Sequence, residues 1–249
     1  MNALVHVSGV SVSFQRGPLT IDVLRDVSMD LFPGDLGGVW GPRGSGKTTL
    51  AAVVAGLQPP SRGVVRFSDG ESRDHRHEGR VAGQVGFAST RRGPAHDDWT
   101  PVDWITASMV DLGLPWRTIR RRAHVVLDRV GVGEFSDEPW EHLSDSTRAL
   151  ASIAQAMAKG PRLLVVDDAT AGFGVGDRAG IMNLLRGFAQ ADGLTVLITA
   201  AEMTDLRGVS RLWALEDGHL DGPPPAASQV PPPPAPRRRA LAPRRSTRR

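Results

Sequence analysis

The 249-residue chain has no cysteine, which excludes a disulfide framework and a thiolate metal site. No apolar run approaches the roughly 18 residues that a membrane-spanning helix needs. The first fourteen residues lack the basic-then-apolar order of a secretion signal, so a cytoplasmic chain is expected. Lysine is nearly missing: Lys47 and Lys159 are the only two, and the other 28 of the 30 basic residues are arginine. Acid is missing from one end. From Gly222 onward stand Arg237, Arg238, Arg239, Arg244, Arg245, Arg248 and Arg249 with no Asp or Glu. The rest is ordinary, 40% hydrophobic and 23% charged, as in soluble globular proteins. About 220 ordered residues suffice to bury a core in one or two lobes.

The sequence pI of 10.4 suggests a nucleic-acid binder when read alone. The net charge is only +3, and removing the seven C-terminal arginines leaves residues 1–221 at −4. The basic character therefore belongs to a tail, 222–249. Its proline-rich part, 223–236, favours polyproline II over a packed core, so the tail is expected to be disordered. Its arginines offer at most a weak contact with nucleic acid or with anionic lipid, at about 1 kcal/mol per residue near a membrane surface.

Ahead of the tail, Val10, Val12 and Phe14 alternate with Ser11 and Ser13, the pattern of a half-buried strand. A strand over 23–32 ends at the turn signal Pro33-Gly34. A short strand over 36–40 runs into a glycine-rich turn, then a helix over 47–56. Another strand covers 63–67, and 68–83 reads as a polar loop. The block from about 95 to 160 is mostly helical, with helices over 116–130 and 144–159. Leu163 to Val166 is a continuous apolar run, as in a buried parallel strand. A helix over 181–190 and a strand over 194–199 follow. Glu216-Asp217-Gly218 marks a closing hairpin. Strands alternating with helices around a helical block predict an α/β core with a helical insertion.

Gly41-Pro42-Arg43-Gly44-Ser45-Gly46-Lys47-Thr48-Thr49 fits the phosphate-binding pattern G-x-x-x-x-G-K-[ST] between a strand and a helix. Glycines let backbone N–H groups converge on phosphate oxygens, and the helix N-terminus adds partial positive charge. Lys47 reaches the β- and γ-phosphates, and Thr48 can ligate Mg²⁺. Such a loop needs a carboxylate at the end of a nearby strand, and Asp167 supplies it after the 163–166 run.

From these residues the chain resembles the nucleotide-binding subunit of ATP-binding cassette (ABC) transporters over residues 1–221. The order of segments carries the resemblance. Phe14 lies where that family stacks a ring on adenine. Pro33-Gly34-Asp35 precedes the P-loop strand. Leu143-Ser144 opens a helix, and Arg148-Ala149-Leu150-Ala151 leads to Pro161, Asp167 and then Asp168-Ala169-Thr170. The resemblance implies a P-loop NTPase (RecA-like) core with an antiparallel β-subdomain and a helical subdomain at about 95–155. It implies ATP and Mg²⁺ as ligands and a dimer, either a homodimer or a heterodimer with another ABC ATPase subunit, sandwiching two ATP molecules. It also implies a transmembrane permease partner and a peripheral place at the inner face of the cell membrane.

Five positions depart from the family pattern. Where Leu-Ser-Gly-Gly-Gln is usual, the chain has Leu143-Ser144-Asp145-Ser146-Thr147. A charged Asp145 about 4 Å from a phosphate is repelled by about 1 kcal/mol in water and about 4 at an effective dielectric of 20. Ser144 remains able to donate a hydrogen bond, and Ser144 or Asp145 can cap the helix. Thr90 stands for a glutamine and Gly174 for an aspartate. Asp168 stands for the catalytic glutamate, so a base is chemically possible but about 1 Å shorter, and small misplacements can cost about 10²-fold. Ala200 stands for the switch histidine.

The departures point to an ATP-binding subunit with weak or no hydrolysis. Two other functions remain open at this stage: a fully active transporter ATPase with Asp168 as base, and a soluble regulatory or DNA-associated ATP-binding protein using the basic tail. Trp99, Trp104 and Trp116 read as packing or as a surface for a membrane partner. His75 and His77 share a polar loop with Asp74 and Glu78, too few ligands to specify a metal site.

Overall fold

The computed structural model describes residues 2–68, 84–89, 93–96, 98–168, 170 and 173–223. Two sheets organise them. In the smaller, β1 (Val5–Arg16) pairs antiparallel with β2 (Leu19–Leu31) on one side and β4 (Arg62–Phe67) on the other. The larger has the order β5-β6-β7-β3-β8-β9. It comprises β3 (Leu36–Trp40), β5 (Val85–Ser89), β6 (Leu163–Asp167), β7 (Thr195–Ala200), β8 (Arg211–Glu216) and β9 (His219–Asp221). The first five in that order are parallel; β9 closes the edge as an antiparallel hairpin with β8.

The apolar pattern explains the layers. β6 and β7 are buried at every position, as strands covered on both faces must be. One face packs on α1 (Lys47–Val54) and the small sheet, in a core that includes Val5, Val7, Leu50, Val165 and Trp213. The other face packs on the helical block in a core with Ile105, Leu127, Ile153, Leu164 and Ile198. That block contains α2 (Pro101–Ser108), α3 (Trp116–Arg129) and α4 (Asp145–Met157). In α3 the buried residues are Ile119, Ala123, Val126 and Leu127, which is one helical face. Thr100 caps α2 by accepting from the Asp103 N–H, with Pro101 in the first turn, where a missing N–H costs nothing.

Three boundaries move. β1 begins at Val5, ahead of the alternating 10–14 segment. β2 begins at Leu19 rather than 23, because Arg16 pairs with Leu19 across a tight turn. The last helix, α5 (Val175–Asp192), is longer at both ends than the expected 181–190. Its first turns carry Gly176 and Gly180, poor helix formers that hide it from propensity. The expected loop at 68–83 and the tail from 224 lie outside the described residues.

Candidate functional site

The loop after β3 is shaped by steric demand. A Cβ on Gly41 would stand 2.2 Å from the Leu215 carbonyl oxygen and 2.7 Å from Ser45 Oγ. Gly46, the N-cap of α1, has φ 105° and no side-chain cap bond, a conformation open to glycine. The first N–H groups of α1 therefore lack an intrahelical partner and face the loop. Lys47 folds over it, its Nζ donating to the carbonyls of Gly41 at 2.7 Å and Pro42 at 2.8 Å. Burial pushes the Lys47 ammonium below its ordinary value; nearby Asp168 and Asp167 act in the opposite sense, and Arg43 adds to the lowering. The Ser45 hydroxyl is buried without a hydrogen-bond partner.

A cleft of about 440 Å³ opens in front of the loop, lined by Arg43, Gly44, Gly46, Lys47, Thr48, Thr49, Asp167 and Asp168, with Val23 and Ala201 at its margins. The β6 end and the α1 start meet there: Thr48 Oγ1 donates to Asp167 Oδ1 at 3.3 Å. One strand, β7, separates β6 from β3, and Thr199 near its end donates to the same Asp167 oxygen at 2.7 Å. The Asp168 N–H donates to Thr199 Oγ1 at 2.9 Å, and Asp168 has φ 57°, left-handed backbone that aspartate tolerates better than most residues.

Eight of the sequence-selected residues thus share one cleft, with Gly41 and Ser45 beneath it. Phe14 is not among the lining residues. It sits on β1 opposite Ile21, both 42% exposed, with Ile21 two positions along β2 from the cleft-lining Val23. Ala200 does not reach the cleft either. It is buried in the helical-side core with Ile198 and Leu206, and the next residue, Ala201, takes the margin. Neither methyl can hydrogen-bond.

At the start of α4, Ser144 is the N-cap. Its Oγ accepts from the Thr147 N–H at 3.1 Å and lies 2.8 Å from Thr147 Oγ1 and 3.0 Å from Ser146 Oγ. The expected capping role of Ser144 is met, and its hydroxyl has local partners within hydrogen-bond distance. Asp145 is exposed, 3.8 Å from Arg148 Nη1, an exposed pairing of little energetic weight. Gly174 is the N-cap of α5. Trp104 packs edge-on against Trp140 with ring centroids 5.0 Å apart, and Trp116 is exposed. Thr90, His75, His77 and the tail arginines lie outside the described residues.

Sequence reading missed Thr199, Val23 and Ala201. It also missed a link between the segments after β6 and β7. Thr170 donates to Asp205 at 2.7 Å, and Arg178 bridges Asp205 at 3.2 Å and Glu202 at 3.5 Å. A second cavity of about 320 Å³, bordered by Arg129, Arg162 and Asp192, adjoins the starts of β6 and β7. It contains none of the residues selected for nucleotide, metal or catalysis. Among the described residues no helix is long and apolar enough to cross a membrane.

The family profile described as ABC transporter matches residues 24–171, more than half of the chain. Methionine import ATP-binding protein MetN 1 of Rhodococcus jostii is 29% identical over 215 residues, covering 83% of this chain and 62% of the relative. Macrolide export ATP-binding/permease protein MacB 1 of Yersinia pestis is 29% identical over 88% of this chain and 34% of its own length. The energy-coupling factor transporter ATP-binding protein EcfA1 of Caldanaerobacter subterraneus is 27% identical over 89% of this chain and 81% of its own. The chain thus spans less than two thirds of the first two of these relatives. A dimeric ATP-binding cassette solved in a post-hydrolysis state with ADP and Pi superposes with a TM-score of 0.78 at 22% identity, over 88% of this chain and 98% of that one. CbiO1 of Clostridium perfringens, part of the complex cbiONQ, gives 0.77 at 22%, over 89% and 88%. These likenesses establish the fold, an α/β P-loop NTPase cassette.

Proposed function

Because the chain belongs to the ABC transporter family, we propose that it is the ATP-binding subunit of an ABC-type membrane complex, one that binds Mg-ATP and hydrolyses it slowly or not at all. The observation that carries this reading is the composition of the cleft in front of the loop: it is lined by the phosphate-loop residues, Thr48 and Asp167, with Asp168 as the remaining acid and Ala201 at its margin. The partnerless Ser45 hydroxyl, the uncapped N–H groups of α1 and the Lys47 ammonium, which has one N–H beyond its bonds to the Gly41 and Pro42 carbonyls, are donors on one loop, and such a set fits a triphosphate. Among the described residues no cluster of three His, Asp or Glu is grouped to hold a metal. That suits Mg²⁺, which is commonly held by one or two protein oxygens and the phosphates themselves. Thr48 and Asp167 would hold it; when bound, it supplies neutralisation of phosphate charge. Arg43, Gly41, Gly44, Gly46 and Thr49 complete the cradle, and Phe14 at the end of the β1–β2 hairpin is assigned to the adenine.

Hydrolysis needs a carboxylate to orient water and a second polar group near the γ-phosphate. Asp168 supplies the first with one methylene less than glutamate. Ala200 and Ala201 supply nothing at the end of β7. A partner subunit's ATP would meet Asp145 and a Ser144 already committed to capping. The chain's own P-loop is the better half, so a heterodimer with an intact ABC ATPase, docked on a permease at the inner face of the membrane, suits it better than a homodimer. Both the ABC fold and the relatives named as ATP-binding subunits support this context.

The test is steady-state hydrolysis by the purified chain beside direct ATP binding. Binding with turnover well below the ordinary range of about 1–10³ s⁻¹ is expected; turnover inside that range overturns the impaired reading. A second reading rests on the presence of Asp168 in the cleft: an active ATPase with Asp168 as base. In that case Asp168→Asn abolishes turnover while ATP still binds.

A further inference from the structure

We propose that Thr199 is the positioning residue of the Asp167–Asp168 pair, setting how Asp167 meets the cation. The assignment rests on the Mg-ATP reading above and deepens it. Thr199 is fully buried and does not line the cleft, so it touches no ligand. It acts through the two acids that do. One hydroxyl is used twice, donating to Asp167 Oδ1 at 2.7 Å and accepting from the Asp168 N–H at 2.9 Å. These consecutive residues are the last of β6 and the first beyond it.

The consequences differ for the two acids. Asp167 is almost wholly buried, and Oδ1 also takes the longer bond from Thr48. With Oδ1 occupied, Oδ2 is the oxygen left for a cation. At Asp168 the bond is to the backbone, and it pins a residue with φ 57° at the sharp turn that brings its side chain to the cleft. The anchor is stiff. Thr199 is β-branched within a strand, where its χ1 freedom is small, and its strand is hydrogen-bonded on both sides, to β6 and β3. Sequence pattern marked this position only as the end of an apolar strand; the strand order gives it a task.

Thr199→Val keeps the shape and deletes both bonds. Thr199→Ser restores the hydroxyl without the methyl. Binding of a fluorescent ATP analogue to the full chain is measured in EDTA and across a Mg²⁺ titration, with thermal melting beside it. Mn²⁺ in place of Mg²⁺ gives a direct spectroscopic count of bound cation. Thr199→Val is expected to bind the analogue in EDTA within about 2-fold of the parent while needing roughly 10-fold more cation, the scale seen when groups supporting a metal ligand are removed. Thr199→Ser is expected to return to within about 2-fold on the cation axis, whatever its melting temperature. If Thr199→Val does not fold, Thr199→Ala is read on the same scale.

An unchanged cation midpoint in the hydroxyl-less variant overturns the proposal. So does a parallel loss of affinity in EDTA and in Mg²⁺, which marks a structural role only. If the parent chain itself binds no nucleotide in either condition, the Mg-ATP reading falls, and the proposal with it.

Discussion

Thr48 Oγ1 donates to Asp167 Oδ1 at 3.3 Å across 119 positions of sequence, joining the first turn of α1 to the last residue of β6. At that length the bond is beyond the usual range for hydroxyl donors and weak, so it leaves the Thr48 hydroxyl free to turn to a cation held at Asp167 Oδ2. Asp167→Asn is expected to leave ATP-analogue binding in EDTA within about 2-fold and to remove most of the gain on adding Mg²⁺, because the amide lacks the charge the cation requires. A fluorescence titration with and without Mg²⁺ checks it; an undiminished Mg²⁺ gain would sink the assignment of Asp167 as a metal ligand.

Lys47 gives a pH prediction with two opposite signs. Its ammonium is held below the ordinary 10.5, first by burial. Between the lowered value and 10.5 the unfolded chain binds more protons than the native one, so this group's contribution to stability rises with pH there. Nucleotide affinity moves the other way, falling as the cation is lost. Lys47→Arg should flatten the alkaline loss of affinity yet bind more weakly at pH 7, since a guanidinium does not replace a compact ammonium. Affinity and urea midpoint measured from pH 7 to 10.5 check both signs.

Gly41→Ala should cripple the cleft from beneath. Its Cβ would meet the Leu215 carbonyl at 2.2 Å, a backbone atom that moves only with β8. Overpacking of this kind costs about 1–3 kcal/mol, and the displaced loop loses nucleotide affinity as well. Gly187→Ala is the contrasting case. It lies in the exposed interior of α5 with nothing within 4 Å of the added Cβ. A gain of about 0.4–1 kcal/mol is expected. Denaturant midpoints of the two variants, run in opposite directions from the parent, are the measurement.

Ser144→Ala removes the cap of α4, whose Oγ accepts from the Thr147 N–H. A loss of about 1 kcal/mol is expected, seen as a fall of roughly 2–4 °C in melting temperature for a chain of this size. Binding of ATP by the isolated chain should not change, because α4 contributes nothing to the cleft. A melting temperature equal to the parent's would remove the cap assignment.

How far the site was legible depends on whether its parts are neighbours in sequence. The run from Gly41 to Thr49 could be read directly, because strand, turn and helix start are contiguous, although the close approach of the Leu215 carbonyl that Gly41 answers could not. Asp167 was legible as an acid closing an apolar strand. Thr199 was not, since its two bonds depend on which strand lies between β3 and β6. Ala200 was selected by its place after Thr199, but alternation along β7 turns it to the core and leaves the margin to Ala201. Ser144 and Asp145 were both legible as caps of α4, and the bond from the Thr147 N–H settles the choice on Ser144.

The sequence by itself determined the α/β class, the phosphate loop, the two acids, and the confinement of excess basic charge to the last 28 residues. These follow from periodicity, local turn chemistry and charge counting, which need no knowledge of distant contacts. Only the tertiary structure decided that Thr48, Asp167, Asp168 and Thr199 meet, and which hydroxyls are already spent. Those outcomes depend on strand order and on competition among neighbours for each donor and acceptor, and such pairings are set when the sheet assembles.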